Sequence, residues 1–309
     1  MAVITAVCMN PAFDRTVTVD ALMPGQVNRI RDARTDMGGK GVNVAVVARR
    51  LGLEAQCVGC MGEEGAERFA AMMDAEGLPH RFLTIPGTLR TNTKVVSLDG
   101  SGVTELNESG AALTADTLEQ FFRLAEEAAG SSGMAVVTGS LSPGCPEGTY
   151  RTLIRCMGVP CILDVGGREL LLGAEAGPLL VKPNIHELEA ALGERLSTRA
   201  EVVRGARKLL ALGAQNALIS MGGDGAVMVT PEGAWYAPPV PVEVKSTVGA
   251  GDAMVGGVLA GLSEKPGDMR HALRWGTAAG AASVMTEGTQ LIRPEDIAPL
   301  LEQVQIQEV

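Results

Sequence analysis

Short apolar runs alternate with helical patterns along most of the chain, and no other feature restricts the fold as strongly. Apolar runs bounded by turn residues predict buried strands at Val3–Met9, Gln56–Cys60, Met134–Thr138, Cys161–Val165, Leu179–Val181 and Ala217–Ser220. Helical patterns lie between them, at Gly41–Leu51, Ala66–Glu76, Ala115–Ala128, Ile185–Leu192, Arg199–Leu212, Ala250–Leu262 and Asp268–Met285. Strands that alternate with helices form a mostly parallel sheet covered on both faces. The sequence therefore predicts an α/β fold.

Two segments break this rhythm, at about residues 15–36 and 88–107, where polar and apolar residues alternate. The second contains Asp99-Gly100, a dipeptide that favours a tight hairpin. We therefore expect a small antiparallel sheet that forms a lid on a single domain spanning residues 1–309. A cleft between the lid and the main sheet follows from that arrangement.

The charge of the chain restricts its partners. The net charge is −10, and no run of Lys and Arg is longer than two. Because such a surface repels nucleic acid and anionic membranes, a small-molecule partner is favoured. The N-terminus lacks the features of a signal peptide, no run of about 18 apolar residues occurs, and six scattered cysteines fit a reducing compartment. We expect a cytoplasmic protein that contacts neither nucleic acid nor membrane.

The stretch STVGAGDAMVGG, Ser246–Gly257, places an acid directly after a Gly-Ala-Gly turn. A helical pattern follows, so Gly249–Gly251 form a loop at a helix N-terminus, where unpaired N–H groups favour an anion. Beside a bound phosphoryl group, Asp252 would accept the proton of an attacking hydroxyl as a general base. From these residues alone, a tight turn with an N-capping acid is an equally good interpretation.

Two further glycine clusters occur. Met37–Ala45, MGGKGVNVA, opens a helical pattern and offers backbone and polar side chains to a polyol, but it lacks the spacing of a P-loop. Ser220–Gly225, SMGGDG, fails the G-x-G-x-x-G spacing, and a strand-like run follows it. It predicts a turn between two strands, which either contacts a nucleotide or serves only to connect the strands.

GGKGVNVAVVARRLG, VKPNIHELE and STVGAGDAMVGG, in this order, resemble the signatures of the ribokinase/PfkB carbohydrate kinase family over essentially the whole chain. VCMNPAFDRTV, Thr91–Lys94, Val137–Leu141 and Leu180–Asn184 resemble its phosphosugar branch. The resemblance implies a ribokinase-like three-layer α/β/α sandwich with a β lid, and ATP and Mg²⁺ as cofactors. It further implies phosphorylation of a ketohexose phosphate, with fructose 1-phosphate as the leading candidate. The amphipathic pattern of the lid segments itself predicts a homodimer, because two such sheets would bury their apolar faces on each other.

The same resemblance assigns roles to individual residues. It makes Asp252 the catalytic base and Gly249, Ala250 and Gly251 the anion hole for the transferred phosphoryl group. Residues matched to sugar hydroxyls or to the phosphate of the substrate are Asp14, Gly39, Lys40, Asn43, Arg90, Lys94, Asn107 and Ser140. Residues matched to the nucleotide are Lys182, Asn184, Glu187, Ser220, Gly222, Gly225, Ala279 and Gly280.

Several alternatives remain open at this stage. Asn184 and Glu187, three residues apart, would order the water shell of Mg²⁺ or form only a capping box. Ala279 and Gly280 belong to a run of small residues that by itself indicates close helix packing. Tagatose 6-phosphate, fructose 6-phosphate or a nucleoside would be alternative substrates, and a sugar-phosphate-binding protein without turnover is an alternative of another class. A Rossmann dehydrogenase is disfavoured because Met9–Asp14 replaces its glycine motif.

Overall fold

The computed structural model describes residues 3–288 and 290–309. Its strands are β1 Val3–Cys8, β2 Ala12–Val19, β3 Ile30–Gly38, β4 Ala55–Glu64, β5 His80–Thr88, β6 Thr91–Ser97, β7 Gly102–Asn107, β8 Ser132–Thr138, β9 Cys161–Asp164, β10 Leu180–Val181, β11 Ala217–Ser220, β12 Ala226–Val229, β13 Ala234–Ala237 and β14 Gln307–Glu308. Its helices are α1 Lys40–Arg50, α2 Ala66–Ala75, α3 Ala115–Ala129, α4 Thr149–Met157, α5 Gly167–Ala174, α6 Ile185–Leu192, α7 Arg199–Leu212, α8 Ala250–Glu264, α9 Met269–Val284 and α10 Ile297–Gln303.

The main sheet has the strand order β14-β13-β12-β11-β10-β9-β8-β1-β4-β5. Pairing is parallel from β5 to β11 and antiparallel from β11 to β14. Along β1, Ala6 and Cys8 pack into one layer of the core, whereas Val7 packs into the other. This alternation confirms the predicted three-layer sandwich, because both faces of the sheet are covered by helices.

The lid is a second sheet with the order β3-β2-β6-β7. β2 pairs antiparallel with β3 and β6 with β7, as predicted, whereas the central β2–β6 pairing is parallel. β2 and β6 run side by side because each follows a parallel strand of the main sheet and enters the lid in the same direction. One lid face has its own small core of Val17, Val19 and Val95, with Leu22 packed on it. The other face carries Asp14.

No helix among the described residues is long and apolar enough to cross a membrane. All six cysteines are free thiols. Two of them, Cys57 and Cys60, are buried in β4. Their burial raises the pKa of the Cys60 thiol to about 12. Cys57 and Cys60 therefore serve as small apolar core residues.

Candidate active site

A cleft of about 1110 Å³ lies between the lid and the carboxyl ends of the main strands. Parallel α/β sheets place their ligand sites at this edge. Of the twenty residues predicted for the site, eighteen line the cleft: Asp14, Gly39, Lys40, Asn43, Arg90, Asn107, Ser140, Lys182, Asn184, Glu187, Ser220, Gly222, Gly225, Gly249, Ala250, Gly251, Asp252 and Gly280.

The first turn of α8 forms an anion site at the centre of the cleft. Gly249 is the N-cap residue with φ 79°, a conformation that a side chain would strain. The backbone N–H groups of the first turn have no acceptors within their own helix. A Cβ atom on Gly251 would lie 3.4 Å from Nζ of Lys182, so an ammonium group faces the same point. Backbone dipole and side-chain charge together favour a phosphate there.

Asp252 sits beside this anion site and is only 5% exposed. Its Oδ2 accepts a hydrogen bond of 2.8 Å from Nδ2 of Asn43 on α1. Burial and the charge of Asp164 raise the pKa of Asp252 to about 6, against the opposing effects of Lys40, Asn43 and Lys182. A carboxylate with such a pKa is ionised near neutral pH yet basic enough to accept a proton in catalysis.

Asp164, at the end of β9, is a site residue that the sequence analysis did not single out. It is 0% exposed, and Nζ of Lys182 lies 2.9 Å from its Oδ1 and Nζ of Lys40 3.7 Å from its Oδ2. Thr138 Oγ1 donates to Oδ2 at 3.0 Å. Burial by itself raises the pKa of Asp164, but the two ammonium groups and these hydrogen bonds lower it below its usual value. Its only sequence signal is an acid at the end of an apolar strand.

The lid supplies a polar pair at the other end of the cleft. Asp14 is 8% exposed, and its Oδ1 accepts a hydrogen bond of 3.0 Å from Nδ2 of Asn92 on the neighbouring strand β6. Burial raises the pKa of Asp14, partly offset by Asn92, Lys94 and Arg90. A Cβ atom on Gly38 would lie 2.4–2.6 Å from the carboxylate atoms of Asp14, so only glycine leaves this carboxylate in place.

Arg90 forms the wall next to this pair. Its Nη2 donates to the carbonyl of Asn10 at 2.7 Å, and its Nη1 donates to the carbonyl of Glu108 at 3.2 Å. Ser140 Oγ accepts from the same guanidinium at 3.4 Å. Arg90 therefore ties the β1–β2 turn to the segment after β7 while its charge borders the cleft.

Two predicted site residues do not line the cleft. Lys94 lies on the same lid face as Asn92, but it is absent from the cleft wall. Ala279 is fully buried, and a Cβ atom on Gly257 of α8 would lie 2.7 Å from its own Cβ. Its small side chain lets α8 and α9 approach each other, and its assignment to the nucleotide stays a prediction.

The middle motif begins α6 with a complete capping box. Asn184 Oδ1 accepts from the backbone N–H of Glu187 at 2.8 Å, and Glu187 Oε2 accepts from that of Asn184 at 2.9 Å. Both side chains still line the cleft. Ser220–Gly225 joins the antiparallel strands β11 and β12, as the turn interpretation predicted.

Beyond the anion site, the cleft wall becomes apolar. Residues of the segment before α8 face residues of α8 and α9, and none of the side chains carries a charge. A flat aromatic base is a suitable occupant for such a wall, because it buries apolar surface. This wall comprises Pro239, Val240, Pro241, Val242, Val244, Met254, Ala281 and Val284.

The sequence profile of the pfkB family of carbohydrate kinases matches residues 5–296. The chain belongs to this family. It is 34% identical over 308 residues to 1-phosphofructokinase of Escherichia coli (strain K12), covering 98% of each chain, and 37% identical to 1-phosphofructokinase of Rhodobacter capsulatus, covering 98% of this chain and 97% of that protein. Among solved structures, phosphofructokinase-2 from Escherichia coli in complex with potassium superimposes with a TM-score of 0.91 at 29% identity, covering 98% of this chain and 99% of that one. The protein is therefore an ATP-dependent sugar kinase of ribokinase-like fold.

Proposed function

We propose that the protein phosphorylates fructose 1-phosphate to fructose 1,6-bisphosphate at the expense of ATP. The observation that carries this proposal is the placement of the buried base Asp252 beside the α8 anion site, within a cleft whose other end holds Asp14, Asn92 and Arg90. The reported curated relatives, at 34% and 37% identity, are 1-phosphofructokinases, which favours this substrate over fructose 6-phosphate or tagatose 6-phosphate.

In the proposed reaction, Asp14 accepts hydrogen bonds from sugar hydroxyls, and Asn92 keeps its carboxylate oriented. Asn43, Gly39 and Ser140 contact the sugar, while Arg90 and Asn107 lie toward the phosphate that it already carries. Lys94, outside the cleft wall but on the same lid face as Asn92, adds positive charge on that side. Asp252 removes the proton from the acceptor hydroxyl as its oxygen attacks the γ-phosphorus of ATP. The amides of Gly249–Gly251 stabilise the charge on the phosphoryl oxygens, and the apolar wall holds the adenine.

The residues present fit a Mg²⁺ ion that arrives with ATP. Glu187 offers a carboxylate beside Asn184, and Mg²⁺ prefers oxygen ligands while retaining much of its water shell. One oxygen of Glu187 is committed to the capping box, so we propose that the carboxylate contacts the ion through water. When bound, the ion would neutralise charge between the β- and γ-phosphates.

A substrate panel tests the proposed function. We expect ADP release with Mg-ATP to be fastest on fructose 1-phosphate, compared with fructose 6-phosphate, tagatose 6-phosphate, ribose and adenosine. A preference for fructose 6-phosphate would assign the chain the activity named for its structural neighbour. ATP-independent binding of a phosphosugar without any ADP release would instead support a binding protein.

The pKa of Asp252 sets the acid limb of the activity. Because the base must be ionised and its pKa is about 6, kcat/KM should be constant above pH 7 and fall as the pH drops through 6. At pH 5 the loss should be about tenfold. Initial rates between pH 5 and 8 measure this limb, and an acid limb centred near pH 4 would contradict the burial argument.

We also propose that the protein forms a homodimer through the lid. Among the described residues, nine large apolar side chains are exposed, and six of these lie in the lid segments: Met23, Val27, Ile30, Leu98, Val103 and Leu106. β7 is exposed at every position and ends the lid sheet as an edge strand. Exposed apolar side chains and a free edge together favour a self-association surface.

Sedimentation at micromolar concentration tests the dimer. The wild-type protein should sediment as a dimer, and the double variant Val103→Gln, Leu106→Gln should sediment as a monomer, because two apolar contacts are replaced by amides. Leu212→Gln is the matched control, since Leu212 is 40% exposed on α7, outside the lid. A monomeric wild-type protein, or equal effects of lid and control substitutions, would count against a lid interface.

A further inference from the structure

One buried carboxylate holds two ammonium groups in the cleft. Asp164 is completely buried at the end of β9, between Lys182 at 2.9 Å and Lys40 at 3.7 Å. Thr138, on the neighbouring strand β8, donates a hydrogen bond to Oδ2, the carboxylate oxygen that Lys40 approaches. Because Asp252 and Glu187 add further negative charge around Lys40, its ammonium group remains protonated beside the α8 anion site.

The two lysines differ in the exposure of their side chains. The side chain of Lys182 is 4% exposed and lies close to Asp164, whereas that of Lys40 is 41% exposed and meets Asp164 only at the longer distance. An ammonium group has three N–H donors, so Lys40 has donors available for a ligand that enters the cleft. The charges of Asp164, Asp252 and Glu187 all raise the pKa of Lys40, with Asp164 contributing most. Its ammonium therefore lies near both the base Asp252, which lies beside the anion site, and Glu187 of the middle motif.

We propose that Lys40 is a catalytic residue that stabilises the phosphoryl group during transfer, and that Asp164 is the positioning residue that holds Lys40 and Lys182 for this task. This inference rests on the proposed function, because it needs phosphoryl transfer at Asp252. The bond from the sugar oxygen to phosphorus forms, the bond from phosphorus to the ADP oxygen breaks, and the sugar proton passes to Asp252. Lys40 keeps its proton and donates hydrogen bonds to the phosphoryl oxygens.

This role differs from the sugar-hydroxyl contact that the family resemblance suggests for Lys40. A residue that contacts only the sugar lowers KM, whereas a residue that stabilises charge developing in the transition state raises kcat. The distance of 3.7 Å to Asp164 places the Lys40 ammonium at the carboxyl end of β9, in the main domain rather than in the lid. The two roles therefore make opposite kinetic predictions for the same variant.

The variant Lys40→Met tests the catalytic role. We expect kcat to fall about 10²–10³-fold, as for loss of one oxyanion-stabilising donor, with KM for phosphosugar and ATP changed less than about threefold. Lys40→Arg, which keeps the charge, should recover part of the loss. Lys265→Met, at the exposed C-terminal end of α8, is the matched control and should be unchanged.

A second readout isolates the positioning role of Asp164. The charge of Asp164 raises the pKa of Asp252, whereas Lys40, Asn43 and Lys182 lower it. Because Asp164→Asn removes the charge that raises this pKa, the variant should move the acid limb of kcat to lower pH as well as reduce kcat. A merely structural residue would reduce the yield of folded enzyme without moving this limb. If Asp164→Asn does not fold, Thr138→Val, which removes one hydrogen bond to the carboxylate, should lower kcat with KM unchanged.

Two results would overturn the proposal. A rise in the sugar KM of Lys40→Met with kcat preserved would place Lys40 at the sugar, and an unchanged enzyme would give it no role. If the wild-type protein phosphorylates another sugar in place of fructose 1-phosphate, the proposed substrate fails while the Lys40 comparison proceeds on the sugar that is used. The two failures are therefore separable.

Discussion

The variant Asp252→Asn is expected to lose about 10²–10⁴-fold in kcat, because an amide cannot accept the proton of the acceptor hydroxyl. Charge stabilisation by the α8 amides and the two lysines remains, so residual turnover should persist. KM for ATP should change little, since the apolar wall and the first-turn amides are untouched. Single-turnover measurement of ADP formation separates this chemical step from product release.

The same variant should be more stable than the wild-type protein. The pKa of Asp252 is raised from 3.8 to about 6, so the protonated carboxyl group favours the folded state. This stabilisation is fully present below pH 3.8 and is lost as the pH rises through 6 and the group ionises. At pH 7.5 the ionised group therefore costs on the order of 3 kcal/mol, and asparagine removes that cost. Thermal unfolding should show a melting temperature higher by a few degrees.

Asp268→Asn is the matched control for both measurements. Asp268 is also an acid at a helix N-terminus, where its side chain accepts from the backbone N–H of His271, and asparagine can keep this cap. Activity and melting temperature should therefore match the wild-type values. Turnover of Asp252→Asn within fivefold of wild type would remove Asp252 from the role of base.

The second large effect is expected at Asp14. Replacing this buried carboxylate with alanine removes charge-assisted hydrogen bonds to the sugar and leaves Asn92 without its acceptor. Since such bonds contribute about 1.5–3 kcal/mol each, kcat/KM for the phosphosugar should fall about 10²–10³-fold. KM for ATP should be unaffected because Asp14 belongs to the lid. Steady-state kinetics with each substrate varied in turn measures both quantities.

Gly38→Ala should produce the same defect without touching Asp14 chemically. The added Cβ would come within 2.6 Å of the Asp14 carboxylate and force it to move. Gly130→Ala is the control, because a Cβ there has no neighbour closer than 3.5 Å at the end of α3. An unchanged sugar KM in Gly38→Ala would show that the exact position of Asp14 is unimportant.

Much of the fold can be predicted from the sequence wherever the buried residues recur with the period of a helix or a strand. α9 spans Met269–Val284 against a predicted Asp268–Met285, because its apolar and small residues keep helical spacing. β5 is not among the predicted strands, because it lies at the edge of the main sheet and only Ile85 is buried along it. α4 is not among the predicted helices, although its buried residues Tyr150, Leu153, Ile154 and Met157 have helical spacing.

The candidate site, too, could be predicted only in part from the sequence. Backbone-defined features, such as the turn at Gly249 and the capping box at Asn184, follow from local sequence. Asp164 does not, because its partners Lys40 and Lys182 come from distant parts of the chain and only the sheet order brings them together. Ala279 is a second case, since a motif position does not reveal that its side chain packs between α8 and α9 and is not part of the cleft wall.

Phosphorus NMR of the product formed from fructose 1-phosphate and Mg-ATP tests the central claim most directly. The account predicts ADP together with a bisphosphate that carries a new phosphate ester in addition to the original one. Formation should be abolished or greatly slowed in Asp252→Asn and preserved in Asp268→Asn. Release of inorganic phosphate alone, or no new ester under conditions where fructose 6-phosphate is converted, would contradict it.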